Sequence, residues 1–291
     1  MAQSRFYISL KKVFNLIRLP NLVIIAFCQV LVQVCLLQPQ VPVLAIFSDE
    51  HLYLLLLATF CIAAAGYIIN DYYDIKIDAI NKPKRLVVGK GVNRRQAMVA
   101  HLLLSAIGVI VGFTLSLAVG FINTGAVLLL WGYSAQLKKM LLLGNITIAF
   151  LSATMLLVVS VNVGVDNKAV WAYALFAFII SVIREIIKDM EDVKGDATFG
   201  CRTLPIVAGI PGSKWVLYGL MTVFYLTVVS AIIYRYNDLP FGLYMLLLVL
   251  VPSFFFLRYI VKADRKRDFA RLSNWCKGIM LLGMLSMFFF R

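Results

Sequence analysis

Apolar runs long enough to cross a lipid bilayer recur along the whole chain, and they restrict the folds that the chain can adopt. A transmembrane helix needs about 20 mostly apolar residues. Nine runs approach that length, and they are residues 20–37, 51–70, 97–119, 121–137, 145–164, 169–187, 214–234, 241–262 and 275–290. Because only helices and closed barrels satisfy every backbone polar group in lipid, the runs predict an all-α polytopic membrane protein, a bundle of nine transmembrane helices.

Basic residues are concentrated in alternate connections between the runs. The segment before the first run and the connections after the second, fourth, sixth and eighth runs, together with the adjoining ends of those runs, hold 25 of the 28 Lys and Arg residues. Cytoplasmic loops are enriched in Lys and Arg. The pattern therefore predicts a protein of the cytoplasmic (inner) membrane with a cytoplasmic N-terminus. It also assigns the net charge of +14 to topology and to anionic lipid of the bilayer, with no nucleic acid as partner.

Acidic residues are clustered in two short windows, each at the end of an apolar run. Residues 70–78 follow the second run and residues 184–196 follow the sixth, and together they hold eight of the 14 acidic residues. Carboxylates at the edge of a membrane are costly unless a cation or polar ligand accompanies them. Both windows follow even-numbered runs, so the predicted topology places both on the cytoplasmic face, where they could converge on one ligand.

Helical spacing turns each window into a stripe of oxygen ligands. In a continuing helix, Asn70, Asp74 and Asp78 share one face, with Asp71 beside them. The second window repeats this arrangement, with a possible further member at Glu185. Like charges at such spacing repel, and Mg²⁺ with a substrate diphosphate would remove the repulsion because Mg²⁺ is bound by oxygen atoms. The predicted metal ligands are Asn70, Asp71, Asp74, Asp78, Asp189, Asp192 and Asp196.

Basic side chains stand where ligands for phosphate oxygens would be needed. Arg binds phosphate through a fork of N–H groups, and Lys acts as a point charge. A single Lys or Arg in such a loop is more typical of the positive charge that cytoplasmic loops carry. Diphosphate binding is predicted because these residues lie close to the acidic windows in the sequence. The candidates are Lys82, Lys84, Arg85, Lys138 and Arg202.

These motifs resemble those of the UbiA superfamily of intramembrane prenyltransferases over nearly the whole chain. The matching features are Asn-Asp-x-x-Asp-x-x-x-Asp after the second run, Asp-x-x-x-Asp after the sixth, and the number of runs. The resemblance implies two Mg²⁺–diphosphate motifs, and the residues it makes catalytic are Asp71, Asp74, Asp192 and Asp196. It further implies that Tyr133 and Lys138 lie near the diphosphate. Residues 17–21 resemble the family's entry to its first helix, which makes Arg18 and Asn21 possible site residues.

Both windows are most similar to the branch of that superfamily that adds geranylgeranyl groups to geranylgeranylglyceryl phosphate and so builds ether lipids. The implied reaction has a polyprenyl diphosphate donor, which ionises to an allylic cation, and a lipophilic alcohol that attacks the cation. Aromatic faces stabilise such a cation, and the candidates are Tyr72, Tyr73, Trp131 and Tyr133. An aromatic acceptor, as in quinone or chlorophyll-type biosynthesis, stays open.

A membrane transporter with an acidic ion path is the alternative of a different class. Transporters place such residues near the bilayer midplane on broken helices, whereas here the acids lie at the ends of runs, which favours an enzyme. We expect a single domain over residues 1–291, with a possible four-span pseudo-repeat of residues 20–137 and 145–262. The five cysteines show no metal-site spacing.

Overall fold

The computed structural model describes residues 12–83 and 86–291. Two of the predicted diphosphate ligands, Lys84 and Arg85, lie outside the described residues. Within the described ranges the chain is helical, apart from connecting segments and an isolated bridge between Val88 and Val92. The prediction of an all-α protein is confirmed.

Nine helices in the described part of the chain are long and apolar enough to cross a membrane. In chain order they are α1 Leu19–Leu37, α2 Glu50–Tyr73, α3 Arg94–Leu115, α4 Leu117–Ala135, α5 Leu143–Val163, α6 Lys168–Thr198, α7 Gly209–Tyr234, α8 Leu239–Lys262 and α9 Lys266–Phe290. Each corresponds to one predicted run. Two of them include a six-residue π-helical segment, Val32–Leu37 in α1 and Met245–Leu250 in α8.

The boundary between α3 and α4 is Ser116, whereas the sequence placed it at Gly120. Ser116 adopts an extended conformation, and its side-chain oxygen accepts a hydrogen bond from the N–H of Val119 at 3.1 Å. Serine at this position satisfies one of the free N–H groups of a new helix. Gly120 lies inside α4, where the ring of Phe113 packs against its backbone. The junction was misplaced because hydropathy does not detect a helix cap.

Two helices extend well beyond their apolar runs. The sixth run was predicted to end at residue 187, yet α6 continues to Thr198. The ninth was predicted to begin at residue 275, yet α9 begins at Lys266, where the Asp268 carboxylate accepts a hydrogen bond from the N–H of Arg265. Charged residues support a helix outside lipid as well as apolar residues do within it. The second acidic window is therefore helical throughout.

The chain forms two compact units, each with its own packing. Of the described residues, the first comprises those up to Val30, those within Pro42–Leu137, and Val161–Gly164. In it α2 packs against α3 and α4, and a side chain at Gly108 of α3 would collide with Ile62 of α2. Small residues at such crossings allow membrane helices to approach closely. This unit carries the first acidic window.

The second unit comprises Leu31–Val41, Lys138–Ser160 and Val165–Arg291. Its core is built around α6, α7 and α9 and includes the fully buried Ile183, Phe224 and Phe256. The π-helical end of α1 is hydrogen-bonded within this unit, because Nδ2 of Asn167 donates to the carbonyl of Leu36 at 2.6 Å. This unit carries the second acidic window.

Candidate functional site

The first acidic window retains helical register across the end of α2. The backbone of Asp74 departs from ideal helix geometry, and a short helix, Ile75–Asn81, follows it. The N–H of Asp74 nevertheless bonds the carbonyl of Asn70 at 3.0 Å, and the N–H of Asp78 bonds the carbonyl of Asp74 at 2.7 Å. Hydrogen bonds four residues apart keep Asn70, Asp74 and Asp78 on one face. The same series continues from Lys82 to Asp78 at 2.8 Å.

The carboxylates of this window act on one another electrostatically. Burial and the nearby carboxylates of Asp74 and Asp71 raise the pKa of Asp78 to about 6, against the opposing effect of Lys82. A raised pKa means that the charged form of Asp78 is disfavoured. A divalent cation at this face would relieve that cost, because it would offset the repulsion between the three carboxylates.

Asp71 is held by residues from the entry to α1. Nη2 of Arg18 lies 2.9 Å from Oδ1 of Asp71, and its guanidinium lies over the ring of Tyr67 at 4.9 Å. Asn21 donates to the hydroxyl of Tyr67 at 3.4 Å. Arg18 adopts a φ of 52°, in the left-handed region that residues with a side chain rarely occupy. The structure thus brings both possible residues of the entry segment to the first window.

Tyr67 was missed by the reasoning from sequence, although a signal for it exists. Tyr67, Asp71, Asp74 and Asp78 are spaced by four, three and four residues along the chain. Glu185, Asp189, Asp192 and Asp196 have the same spacing in the second window. A search for this shared spacing, rather than for acids alone, would have included Tyr67.

The aromatic candidates for stabilising a carbocation have different surroundings. The guanidinium of Arg94 lies 4.6 Å from the centre of the Tyr72 ring, so one face of that ring already contacts a cation of the protein itself. The ring of Tyr73 packs edge-on against Tyr72 at 5.3 Å. Trp131 is exposed, and Tyr133 is half-buried in the last turn of α4. Their role toward a cationic substrate stays a prediction.

The second acidic window lies on an unbroken part of α6. Oδ2 of Asp189 accepts a hydrogen bond of 2.7 Å from Nδ2 of Asn145, a buried residue of α5. Asp192 and Asp196 follow on the same face of the helix and are half-buried. Asn145 was also missed from the sequence, since nothing in the spacing of α5 connects it to α6.

Glu185 is buried one turn before Asp189, and two cations already neutralise it. Its carboxylate oxygens accept separate hydrogen bonds from Nη1 of Arg184 and Nζ of Lys188, both at 2.7 Å. Glu185 is therefore part of an ion cluster rather than a simple continuation of the acidic stripe.

Two of the predicted phosphate ligands lie on neighbouring segments of the second unit. Lys138 belongs to the short turn Leu137–Lys139, and the N–H of Arg202 donates to the carbonyl of Lys139 at 2.7 Å. The side chain of Arg202 is exposed, and that of Lys138 is half-buried. This backbone contact joins the segments that carry Lys138 and Arg202, which follow the ends of α4 and α6.

The acids do not form a closed metal shell. Within residues 12–83 and 86–291, no group of three His, Cys, Asp or Glu side chains is gathered closely enough to hold a metal ion. The donor set fits Mg²⁺ nevertheless, because this ion takes one or two carboxylates and completes its shell with water and substrate phosphate. Crowded carboxylates at the ends of membrane helices are a suitable arrangement for such open coordination.

These features define a class of protein: an integral membrane protein of helical spans whose second and sixth spans end in stripes of carboxylates. Residues 24–284 match the family described as the UbiA prenyltransferase family. The chain belongs to this family, and it is therefore an enzyme that transfers prenyl groups. Membership decides between the two classes considered from the sequence, in favour of the enzyme over the transporter.

Curated relatives share a common description. The chain is 30% identical to the digeranylgeranylglyceryl phosphate synthase of Methanosphaera stadtmanae over 84% of this chain and 90% of that protein. It is 33% identical to the synthase of the same description from Methanosarcina mazei over 80% of each chain. The match to that of Methanothermobacter thermautotrophicus is 38% identical, and covers 58% of this chain and 61% of that protein, less than two thirds of its length.

Solved structures show the same fold. A structure of digeranylgeranylglyceryl phosphate synthase in membranes gives a TM-score of 0.71 at 24% identity and covers 96% of this chain and 99% of that one. A UbiA homologue from Archaeoglobus fulgidus, solved with GPP and Mg²⁺, gives a TM-score of 0.64 at 15% identity and covers 95% of this chain and 99% of that one.

Proposed function

We propose that this enzyme is Mg²⁺-dependent and transfers a polyprenyl group from an allylic polyprenyl diphosphate to the free hydroxyl of geranylgeranylglyceryl phosphate. The observation that carries the proposal is the first acidic window, in which burial and the nearby carboxylates of Asp74 and Asp71 raise the pKa of Asp78. A cation would offset the repulsion between these three carboxylates, and a diphosphate substrate binds together with Mg²⁺. The description shared by the curated relatives supports this acceptor over an aromatic one.

The proposed metal ligands belong to both windows. Asn70, Asp71, Asp74 and Asp78 would be the Mg²⁺ ligands of the first window, and Asp189, Asp192 and Asp196 those of the second. The loop charges of the sequence predict that α2 and α6 both end on the cytoplasmic face, so the diphosphate of the donor would bind at that face. Mg²⁺ held by these residues would neutralise the diphosphate and make it a better leaving group.

The side chains of the enzyme bind and orient the substrates. Lys82, Lys138 and Arg202 donate hydrogen bonds to diphosphate oxygens, and Tyr133 contributes its hydroxyl. The same role is proposed for Lys84 and Arg85, which lie outside the described residues. The bond between C1 of the prenyl group and the diphosphate oxygen breaks, and diphosphate leaves. The hydroxyl oxygen of the acceptor forms a bond with C1 and loses its proton. Exclusion of water by the helices protects the allylic cation from hydrolysis.

The proposal is tested with the protein in nanodiscs, a radiolabelled polyprenyl diphosphate and two acceptors. We expect Mg²⁺-dependent product with the alkylglyceryl phosphate, none with an aromatic acid acceptor, and none after EDTA. Asp74→Ala and Asp192→Ala should each reduce product formation by about 1,000-fold or more. Each substitution removes a carboxylate that is proposed to bind Mg²⁺. The matched control is Asp264→Ala, which removes an exposed carboxylate paired with Lys214. Near wild-type activity in either acidic variant would contradict the proposal.

A further inference from the structure

Three charged side chains form a cluster within one turn of α6. Nη1 of Arg184 and Nζ of Lys188 each lie 2.7 Å from a different oxygen of Glu185. The side chain of Glu185 is 6% exposed, and those of Arg184 and Lys188 are 21% and 27% exposed. Ionisable residues inside membrane-spanning segments are costly and are commonly functional. We call these three residues the α6 ion cluster.

The α6 ion cluster contains a buried hydrogen-bond donor that its own carboxylate does not satisfy. Both oxygens of Glu185 already accept charged hydrogen bonds from Arg184 and Lys188. The next acid along the helix, Asp189, accepts a hydrogen bond from Asn145 and interacts electrostatically with Glu185 and Lys188. Nε of Arg184 is buried and has no hydrogen-bond partner among the residues that the structure describes. A buried donor left unsatisfied is costly, so the cluster is prepared to accept an anion.

The position of the cluster relates it to the proposed reaction. Lys188 and Asp192 are four residues apart, which is one helical turn, or about 6 Å along the axis. On the side of α9, the buried Cys276 lies near Arg184 and Glu185. The cluster therefore lies within the core of the second unit, one turn from the acidic stripe and on the side of the apolar part of α6.

We propose that Arg184 and Lys188 bind the phosphate monoester of the acceptor lipid, with Glu185 fixing the positions of both cations. This inference rests on the proposed function, in which the acceptor is an alkylglyceryl phosphate. Its phosphate and its reacting hydroxyl are on adjacent carbons, so the phosphate must be bound within a few ångströms of the bond that forms. Carboxylate stripes repel that phosphate, and a separate pair of cations close by is required to hold it.

Both cations suit a phosphate monoester. Nε of Arg184 has no hydrogen-bond partner in the described chain, and adjacent N–H groups of Arg match two phosphate oxygens. Lys188 adds a point charge from the next turn. An acceptor that lacks the phosphate would not form these interactions with Arg184 and Lys188. Arg184 and Lys188 are thus specificity-determining residues that distinguish a phosphorylated lipid alcohol from its dephosphorylated counterpart.

The test compares two acceptors that differ only in the phosphate. With the protein in nanodiscs and labelled donor in excess, kcat/KM is measured for an alkylglyceryl phosphate and for the dephosphorylated alkylglycerol. We expect the wild type to prefer the phosphorylated acceptor by about 100-fold, and Arg184→Gln and Lys188→Gln each to reduce that ratio by about tenfold. Arg184→Lys should retain part of the preference. Glu185→Gln should retain or increase it, because both cations remain and their competing carboxylate charge is removed.

Each outcome distinguishes this inference from the proposed function. Arg258→Gln is the matched control. Arg258 is an exposed residue of α8, and its guanidinium lies over the ring of Phe254. If the wild type transfers the prenyl group to both glyceryl lipids equally, the phosphate site is wrong and the proposed reaction stands. If it transfers to neither, the proposed function fails. If the Gln variants weaken donor binding and leave the acceptor ratio unchanged, the cations serve the diphosphate, and the inference is overturned.

Discussion

Individual side chains of both acidic windows have partners that spacing along the chain does not reveal. Arg18 pairs with Asp71, and Asn145 donates to Asp189. Helical periodicity predicts which residues share a face, and that part of the site was predictable from the sequence. It does not predict which residue of another helix reaches that face, because this depends on how the helices pack. The ion pairs of Glu185 differ, because Arg184 and Lys188 lie on the same helix, and the i, i+3 spacing of Glu185 and Lys188 allows that contact to be predicted from the sequence.

The hydrogen bond from Asn145 to Asp189 allows a test at the scale of one residue. Asn145→Ala would leave the Asp189 carboxylate without this donor in a mostly buried position. We expect the free energy of unfolding in detergent micelles to fall by about 2 kcal/mol. Prenyl transfer should also decrease, because Asp189 loses its orientation. The control is Thr147→Ala on the same helix, which loses only a local bond to the carbonyl of Leu143. Equal stability of the two variants would show that the interhelical bond contributes nothing.

The number and order of helices could be predicted from hydropathy, whereas several of their ends could not. Ser116 caps α4 with its side chain, and residues 188–198 extend α6 with charged side chains. Both effects depend on hydrogen bonding and helix propensity, which an apolar count does not measure. The extension of α6 matters most, because it keeps the second acidic window in helical register.

The close packing of α3 and α4 provides a test at the scale of a helix pair. A methyl group at Gly120 would collide with the ring of Phe113, whereas one at Gly125 of the same helix would meet nothing within 4 Å. We expect Gly120→Ala to lower the free energy of unfolding by about 1–3 kcal/mol. Gly125→Ala should leave it unchanged or raise it by up to about 1 kcal/mol, through better helix propensity.

A double variant separates steric overlap from other causes. In Phe113→Ala/Gly120→Ala the colliding ring is absent, so the alanine at position 120 should cost less than it does beside Phe113. An equal cost in both backgrounds would show that the ring of Phe113 is not what Gly120 accommodates.

At the scale of the whole molecule, the chain divides into two units that each carry one acidic window. The windows share the spacing found in Tyr67, Asp71, Asp74 and Asp78. A four-span pseudo-repeat of residues 20–137 and 145–262 stays a prediction, as does the orientation of the protein in the membrane. The orientation rests on loop charge alone, and an experiment on the intact protein is needed.

Buried cysteines make that experiment direct. All five cysteines are buried, so a membrane-impermeant maleimide should label the parent protein poorly. Lys90→Cys lies in the loop before α3, and Tyr236→Cys lies between α7 and α8, where the tyrosine is 78% exposed. In intact cells we expect labelling at position 236 only, with both positions labelled after permeabilisation. Labelling at position 90 in intact cells would reverse the predicted topology.

The length of α6 has a consequence for the lipid around the enzyme. Its 31 residues span about 46 Å, and the hydrocarbon core of a bilayer is about 30 Å thick. The surplus at the C-terminal end carries Asp192 and Asp196, so in the predicted orientation these turns would extend beyond the hydrocarbon core into the hydrated headgroup layer. Hydrophobic mismatch with a thicker membrane would therefore draw these carboxylates away from water.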